Sequence, residues 1–157
     1  MIKKKKTFTI TTRSEKDTIN LGQAIGKHAN PGTAVLLAGD LGAGKTVCAK
    51  GIAKGLGHAD WKKIKSPTFT LVHEIDTPIP LFHFDIYRLG AVEELFEIGF
   101  EDYLNRAGLV VIEWGDKFDD YLPPDHLAVR LCHAGEQARK VTVSGPYDLV
   151  ARLQKEI

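Results

Sequence analysis

The sequence predicts an α/β fold in which helices flank a mostly parallel sheet, with antiparallel hairpin strands at the edge of that sheet. The apolar runs TAVLLA, 33–38, and AGLVVIEW, 107–114, are typical of strands buried on both faces, as in a parallel sheet. The segments 126–132 and 140–144 alternate in polarity around the polar HAGEQAR, which indicates a hairpin. Helical patterns separate the apolar runs, an arrangement typical of α/β domains.

The first third of the chain predicts the order strand, helix, strand, helix. Residues 7–11, TFTIT, are β-branched and aromatic, as strands prefer. A helix is predicted to begin after Ser14, whose side chain can cap it, and to end at NPG, 30–32. The first apolar run then forms the second strand. Small and apolar residues at helical spacing predict the second helix over 45–56.

The remaining elements follow from similar patterns. SPTFTLVHEI, 66–75, is interpreted as a loop and then a strand, and PLFHFDI, 80–86, as another strand. The acidic segment 91–106 has helical spacing that is interrupted near Gly99. After the second apolar run and the hairpin, the chain is predicted to close with the helix DLVARLQKEI, capped by Asp148.

Length and charge indicate one ordinary globular domain. The 157 residues suit a single domain over 1–157, and the hydrophobic content of 43% is typical of such domains. A net charge of +1 is less than a protein usually carries when a whole face binds nucleic acid. The lysine-rich residues 1–6 resemble the start of a signal peptide, but no apolar segment follows them. They are therefore predicted to be a frayed basic terminus.

The cysteines and histidines indicate neither a disulfide framework nor a zinc site. Cys48 and Cys132 are far apart, without a CxxC pattern, which fits a reducing compartment. The six histidines lack the spacing of zinc ligands and are interpreted as core or surface residues. No apolar run approaches the length of a membrane span, and we expect a cytoplasmic protein.

The strongest local signal is a phosphate-binding loop. GDLGAGKT, 39–46, satisfies G-x-x-x-x-G-K-[ST] between a predicted buried strand and a predicted helix. Its glycines let backbone N–H groups approach phosphate oxygens, and the helix N-terminus adds positive potential. Lys45 is expected to contact the β- and γ-phosphates, and the Thr46 hydroxyl to contact Mg²⁺.

Two carboxylates follow predicted buried strands. Glu113 ends LVVIE and Asp85 follows LFHF. A carboxylate at such a position loses hydration unless something compensates, and a bound Mg²⁺ would compensate. Asp85 could instead be a turn residue or the ion-pair partner of Arg88, and a similar alternative applies to Glu113.

The segment SPTFT, 66–70, supplies the hydroxyls of Ser66, Thr68 and Thr70 before a strand. Such a segment could sense a γ-phosphate, as switch loops do. An ordinary polar connection fits the same pattern.

Several classes of phosphate-loop protein are disfavoured. The nearest match to the guanine-reading Asn-Lys-x-Asp is DKFD, 116–119, which begins with Asp, so a GTPase is disfavoured. The arginines are dispersed and no long insertion could form the lid of a small-molecule kinase. A motor or transporter ATPase needs a longer chain. A minimal ATPase remains, whose nucleotide would control association with a partner.

Five segments in order carry a family resemblance. GDLGAGKT, SPTFTLVHE, HFDIYRL, EELFEIGFEDYL and VIEWGDK together resemble the TsaE (YjeE) family, from about residue 8 to about residue 145. The resemblance implies a weak P-loop ATPase that uses ATP and Mg²⁺. It also implies partners, a threonylcarbamoyltransferase subunit and its non-catalytic paralogue (TsaD and TsaB type). Together they would modify adenosine 37 of tRNAs that read codons beginning with A, with tRNA contacted indirectly, and hydrolysis would reset the complex.

The resemblance also implies roles for individual residues. The residues expected to wrap the phosphates are Gly42, Ala43, Gly44, Lys45, Thr46 and Val47. Thr46 and Glu113 would hold Mg²⁺, with Asp85 as the second catalytic carboxylate near the metal or the attacking water. Lys45 would be catalytic as well, and Trp114 matches an aromatic residue of the family.

The adenine pocket is implied at two loops. The family closes it with the loop after the first strand, here Thr12–Arg13, and with the late hairpin, here Ala138–Arg139. Arg13, Ala138 and Arg139 are therefore expected to contact ATP. Arg139 could stack on adenine, or it could be an exposed hairpin arginine.

Three interpretations stay open from the sequence. The first is the accessory ATPase of tRNA modification. The second is a stand-alone phosphotransferase that acts on a small metabolite. The third is a nucleotide-sensing module without turnover, against which Glu113 and Asp85 argue. The lysines of WKKIK, 61–65, are either a solvated surface or a contact to a partner or tRNA.

Overall fold

A computed structural model describes residues 3–157 and shows one seven-stranded sheet with helices on both faces. The strands are β1 Lys5–Thr12, β2 Ala34–Ala38, β3 Val72–Ile75, β4 Leu81–Asp85, β5 Leu109–Glu113, β6 Leu127–His133 and β7 Arg139–Pro146. The helices are α1 Glu15–His28, α2 Lys45–Gly55, α3 Val92–Glu97, α4 Phe100–Leu104 and α5 Tyr147–Glu156. Short 3₁₀ turns cover Trp61–Lys63 and Gly115–Tyr121.

The sheet has a parallel centre and antiparallel margins, which confirms the predicted fold class. The strand order is β1-β7-β6-β2-β5-β4-β3. Strands β6, β2, β5 and β4 are parallel to their neighbours within this group. The predicted hairpin β6–β7 adds β1 on one side, and β3 pairs antiparallel with β4 on the other. The parallel centre brings the carboxyl ends of β2, β4 and β5 to one edge.

The strand β1 begins earlier than the sequence predicts. Lys5 pairs with Pro146 and Lys6 with Gly145 in the antiparallel register of β1 with β7, so these two lysines are not frayed. The main-chain hydrogen bonds of this ladder hold β1 and do not depend on its side chains. Lysines are compatible with an edge strand because their charged ends reach solvent. Met1 and Ile2, the rest of the predicted frayed terminus, lie outside the described residues.

The helix ends agree with the sequence at α1 and differ at α5. Ser14 caps α1, and its side chain accepts a hydrogen bond from the Asp17 N–H at 3.2 Å. The prediction of an Asp148 cap is wrong, because β7 runs directly into a helix that begins at Tyr147, with Pro146 as the N-cap. No side chain of the described residues caps α5, and the Tyr147 N–H at its start donates instead to the main-chain carbonyl of Lys4 at 3.0 Å.

The two faces of the sheet bury separate apolar clusters. One cluster joins α1, α2 and α5 to β2 and the hairpin strands, and includes Leu21, Ile52 and Val150. The other joins α3 and α4 to β4 and β5 around Phe84 and Phe100, whose rings meet edge to face at 5.3 Å. Gly99, with φ of 80°, separates α3 from α4 at the predicted interruption. Within residues 3–157, no helix has both the length and the apolar character that crossing a bilayer requires.

The two cysteines lie in opposite environments, which gives a simple test of the fold. Cys48 is fully buried in α2, and burial, with a smaller contribution from the charge of Glu113, raises the pKa of its thiol to about 12. Cys132 is exposed on β6. Because the thiolate is the reactive form, iodoacetamide at about pH 8 is expected to label Cys132 alone in the folded protein. Mass spectrometry should find one adduct before unfolding in urea and two adducts after it. Two adducts on the folded protein would contradict the placement of Cys48.

Candidate nucleotide site

The phosphate-binding loop joins the end of β2 to the start of α2. Gly39, Gly42 and Gly44 have φ of 152°, 77° and 112°, a region that residues other than glycine rarely occupy. A Cβ on Gly39 would also lie 2.4 Å from the carbonyl oxygen of Leu131. The loop therefore needs glycine at these positions, and it leads directly into the N-terminus of α2, where positive potential favours an anion.

Lys45 is the cation of this loop. Its ammonium donates to the carbonyl oxygens of Gly39, at 2.5 Å, and Asp40, at 2.9 Å, and lies 3.8 Å from the centre of the Trp114 ring. Burial lowers the pKa of Lys45, and nearby carboxylates, first that of Glu113, oppose this shift. Trp114 has φ of 65°, and this left-handed turn directly follows Glu113. Lys45 is thus held among groups that can exchange for phosphate oxygens.

Two buried carboxylates and a hydroxyl lie beneath the loop. Asp85 and Glu113 are partners in the parallel register of β4 and β5, and they are only 3% and 2% exposed. The Thr46 hydroxyl donates to Glu113 Oε1 at 2.7 Å. Two buried carboxylates next to a single lysine leave negative charge that a divalent cation would balance, and all three groups offer oxygen donors, as Mg²⁺ prefers.

Protein ligands alone do not form a complete metal cage. In the part of the chain that the structure describes, no group of three or more His, Cys, Asp and Glu side chains is arranged to hold a metal ion. Mg²⁺ commonly binds one or two carboxylates and completes its shell with water and substrate phosphates. The residues present therefore fit Mg²⁺ that arrives with a nucleotide.

Asp85 also fixes the switch-like segment. Its Oδ2 accepts hydrogen bonds from the hydroxyls of Ser66 and of Thr68, the latter at 3.0 Å, and its Oδ1 accepts from the Tyr87 N–H at 3.0 Å. Across residues 3–157, Asp85 makes no ion pair within 4.0 Å. Arg88, its alternative partner, instead lies 5.4 Å from the centre of the Phe69 ring. Any rearrangement around Asp85 would be passed to the 66–68 segment.

Two adjoining pockets lie above the phosphate loop. The first has a volume of about 470 Å³, contains Lys45, Thr46, Asp85 and Glu113, and also includes Ser66, Thr68, Val47 and Trp114. The second, of about 530 Å³, shares Gly42, Gly44 and Val47 with the first and continues past Ala43 to Arg139. Together they extend from the carboxylates Asp85 and Glu113, over the phosphate loop, to Arg139.

Of the three residues predicted at the adenine pocket, the structure places one in the second pocket and two outside both pockets. Arg139 lines the second pocket, and its guanidinium donates to the Ala43 carbonyl at 3.0 Å and to the Gly42 carbonyl at 3.2 Å. Arg13 and Ala138 line neither of the two pockets. The Arg13 N–H instead binds Asp17 Oδ2 at 2.8 Å, and the Ala138 carbonyl accepts from Arg139 at 2.8 Å. Thr70 of the switch-like segment is exposed and lies outside the first pocket.

Three further residues lie at the site although the sequence did not single them out. Glu15, in the first turn of α1, lines both pockets. Tyr87 packs against Trp114 with ring centres 4.9 Å apart. His83 contacts Glu113 from beneath, with Nε2 at 2.6 Å from Oε2. Only His83 left a usable signal, because alternation along β4 puts it on the same side of the sheet as Asp85.

Comparison with known proteins gives consistent results. A family model described as threonylcarbamoyl adenosine biosynthesis protein TsaE matches residues 12–141. A Treponema pallidum protein named tRNA threonylcarbamoyladenosine biosynthesis protein TsaE is 38% identical over 133 residues, 85% of this chain and 97% of that protein. Its Bacillus subtilis namesake is 35% identical over 132 residues, 83% and 81% of the two chains. The crystal structure of Bacillus subtilis YdiB is similar in fold, with a TM-score of 0.80, 29% identity and 97% coverage of both chains.

Proposed function

The chain belongs to the TsaE family of tRNA threonylcarbamoyladenosine biosynthesis, and from this membership we propose that it is the accessory ATPase of that modification. It would bind ATP with Mg²⁺ and hydrolyse it in the cytoplasm. Its partners would be a threonylcarbamoyltransferase subunit and that subunit's non-catalytic paralogue, which modify adenosine 37 of tRNA. Hydrolysis would reset this complex between turnovers.

One observation carries the ATPase part of the proposal. The Thr46 hydroxyl of the phosphate loop donates to Glu113 at 2.7 Å, and Asp85 stands beside Glu113 on the next strand. A loop that only bound phosphate would not need two buried carboxylates, since negative charges repel a phosphate. Asp85 and Glu113 would instead help to hold Mg²⁺, which would supply positive charge to offset that of the β- and γ-phosphates.

The residues of the chain then have separate tasks in the proposed reaction. Lys45 would give up its hydrogen bonds to the loop carbonyl oxygens and bind phosphate oxygens instead. The N–H groups at the start of α2 would stabilise the charge that develops on the transferred phosphoryl group. Asp85, which holds the Ser66 and Thr68 hydroxyls, is suited to orient a water molecule or to sense the loss of the γ-phosphate through that segment.

An assay of nucleotide binding and hydrolysis with and without partners tests the proposal. Calorimetry should show binding of ATP that strengthens with Mg²⁺, and phosphate release should be slow for the chain alone and faster with both partner subunits. Absence of Mg²⁺-dependent nucleotide binding would contradict the ATPase assignment. Rapid phosphate transfer to a metabolite by the chain alone would instead support the stand-alone phosphotransferase.

The lysines around the turn Trp61–Lys63 offer a test of partner contact. Lys62, Lys63 and Lys65 are exposed just before the switch-like segment, and among them Lys63 lies 3.7 Å from Asp60. If this surface meets an acidic partner surface, reversing the three charges to glutamate should weaken co-purification with the partners about 10-fold or more. Nucleotide binding should be unchanged, because these side chains lie outside the first pocket.

The matching control reverses three lysines at the far edge of the sheet. Lys3, Lys4 and Lys5 are also exposed and precede or begin β1. Their reversal should leave co-purification intact at the same ionic strength. If both triple variants co-purified with the partners equally well, a role for the lysines of 61–65 in partner contact would be contradicted.

A further inference from the structure

His83 is a buried polar residue that the proposed chemistry has not used. It lies in β4, between Leu81 and Asp85 on the α2-facing side, and it is fully buried. Its Nε2 is 2.6 Å from Oε2 of Glu113, while the other oxygen of Glu113 accepts the Thr46 hydroxyl at 2.7 Å. The two oxygens of this carboxylate therefore have different partners, one below in the core and one above in the phosphate loop.

The hydrogen-bond pattern determines which nitrogen of His83 carries the proton. A carboxylate only accepts, so the short contact to Glu113 requires a proton on Nε2. Nδ1 is buried and has no hydrogen-bond partner among residues 3–157. Within the described part of the chain, no hydrogen bond at Nδ1 favours a proton there, so the contact with Glu113 decides the arrangement. The ring therefore donates through Nε2.

Packing alone does not account for a histidine at this position. Leu81 on the same strand and Val111 on the paired strand are apolar and equally buried. An apolar side chain at 83 would avoid the unpartnered Nδ1, and buried polar pairs commonly gain little stability over apolar ones. The polar end of His83 contacts Glu113, and this contact is the one effect of the histidine that a leucine could not reproduce.

We propose that His83 is a positioning residue that holds the carboxylate of Glu113 by Oε2, so that Oε1 faces the Thr46 hydroxyl and the ion that a nucleotide brings. The proposal rests on the proposed function, in which Glu113 and Thr46 hold Mg²⁺. Partners of this kind fix the orientation of a metal ligand and typically change metal affinity about 10-fold to 100-fold when removed. His83 itself would not touch the ion or the phosphates.

Two substitutions distinguish positioning from simple packing. In His83→Gln the amide nitrogen stands the same number of bonds from Cβ as Nε2, so a donor to Glu113 is kept. In His83→Asn the amide stands closer to the main chain, at the place of Nδ1, and cannot reach Glu113. The control is His73→Asn, since His73 is the exposed residue directly opposite His83 on β3.

The measurement is ADP binding by calorimetry with and without Mg²⁺. His83→Asn is expected to weaken the Mg²⁺-dependent part of binding about 10-fold to 100-fold, with Mg²⁺-free affinity unchanged. His83→Gln should recover most of the loss, and His73→Asn should match the wild type. Wild-type Mg²⁺ dependence in His83→Asn, or equal loss in the Gln and Asn variants, would overturn the proposal.

A measurement on the unaltered protein covers the case in which the Asn variant does not fold. Nitrogen-15 NMR of the imidazole should find the proton of His83 on Nε2, and a proton on Nδ1 alone would overturn the proposal, because Nε2 could not then donate to Glu113. The two failures are distinguishable. Wild-type protein that binds no Mg²⁺–nucleotide contradicts the proposed function, whereas normal wild-type binding with an indifferent His83→Asn contradicts the role of His83 alone.

Discussion

Replacing Glu113 by glutamine is expected to slow ATP hydrolysis by the proposed ATPase about 100-fold, a loss of about 3 kcal/mol of transition-state stabilisation. The substitution removes one negative charge and keeps the size of the side chain. Glutamine can still accept from His83 and stay in contact with Thr46, so the packing around β5 should be preserved. What is lost is the carboxylate charge that, in the proposed function, helps to hold Mg²⁺ next to the phosphate loop.

The loss should depend on the presence of Mg²⁺. Without the ion, removal of a negative charge near Lys45 should leave nucleotide affinity unchanged or slightly higher, because a carboxylate repels phosphates. With the ion, both affinity and hydrolysis should fall. Phosphate release and calorimetry, each measured with Mg²⁺ and with a chelator, separate the two effects.

Glu74→Gln is the matched control for this substitution. Glu74 is exposed on β3, where its carboxylate contacts Arg106 at 2.5 Å, and it lies outside the first pocket. Its replacement removes the same charge from the net total and should leave hydrolysis unchanged. Hydrolysis near the wild-type rate in Glu113→Gln would show that the metal ligands have been assigned to the wrong strand end.

The phosphate loop and its two carboxylates could be predicted because each depends on local sequence. Loop glycines need a particular backbone conformation, and an acidic residue directly after an apolar run lies at the end of a buried strand. The register of β4 and β5 then places Asp85 beside Glu113, since the carboxyl ends of neighbouring parallel strands lie at one edge. Little tertiary information was needed for these residues.

Other features depend on contacts between distant segments, and the sequence pattern does not encode them. Glu15 reaches both pockets only because α1 packs along α2, and Arg139 attaches to Gly42 and Ala43 across the sheet. The pairing of His83 with Glu113 joins two strands. The Asp148 cap was mispredicted because the pattern could not show that β7 continues into α5 without a loop.

Replacing Gly51 by alanine is expected to lower the free energy of unfolding by about 3 kcal/mol, although alanine normally favours a helix over glycine by about 1 kcal/mol. Whether the substitution stabilises or destabilises the protein depends on the space between Gly51 and α1. A Cβ on Gly51 would lie 2.3 Å from the Ile19 carbonyl oxygen and 2.9 Å from Cα of Gly22, closer than real Cβ contacts. Both obstacles are main-chain atoms, so a side-chain rotation cannot relieve them.

The same close approach recurs along both helices, which limits how far they can shift. A Cβ on Gly22 would lie 2.3 Å from the Cys48 carbonyl oxygen, and Cβ atoms on Gly26 and Gly55 would lie 2.4 Å and 2.3 Å from carbonyl oxygens of the facing helix. Moving α1 away to accommodate one methyl group would separate the backbones at all four positions. The apolar cluster around Leu21 and Ile52 would then lose contact.

Thermal unfolding measures this cost directly. For a chain of this size, about 3 kcal/mol corresponds to a fall in Tm of roughly 6 to 12 °C. The control is Gly90→Ala, where a Cβ meets no atom within 4 Å, and its Tm should change little or rise. A Gly51→Ala protein that melts at or above the wild-type Tm would mean that α1 and α2 can separate without cost. The helix α1 begins at Glu15, and α2 begins at Lys45 in the phosphate loop. In that case the glycine contacts between the two helices would not be what holds Glu15 in place beside the phosphate loop.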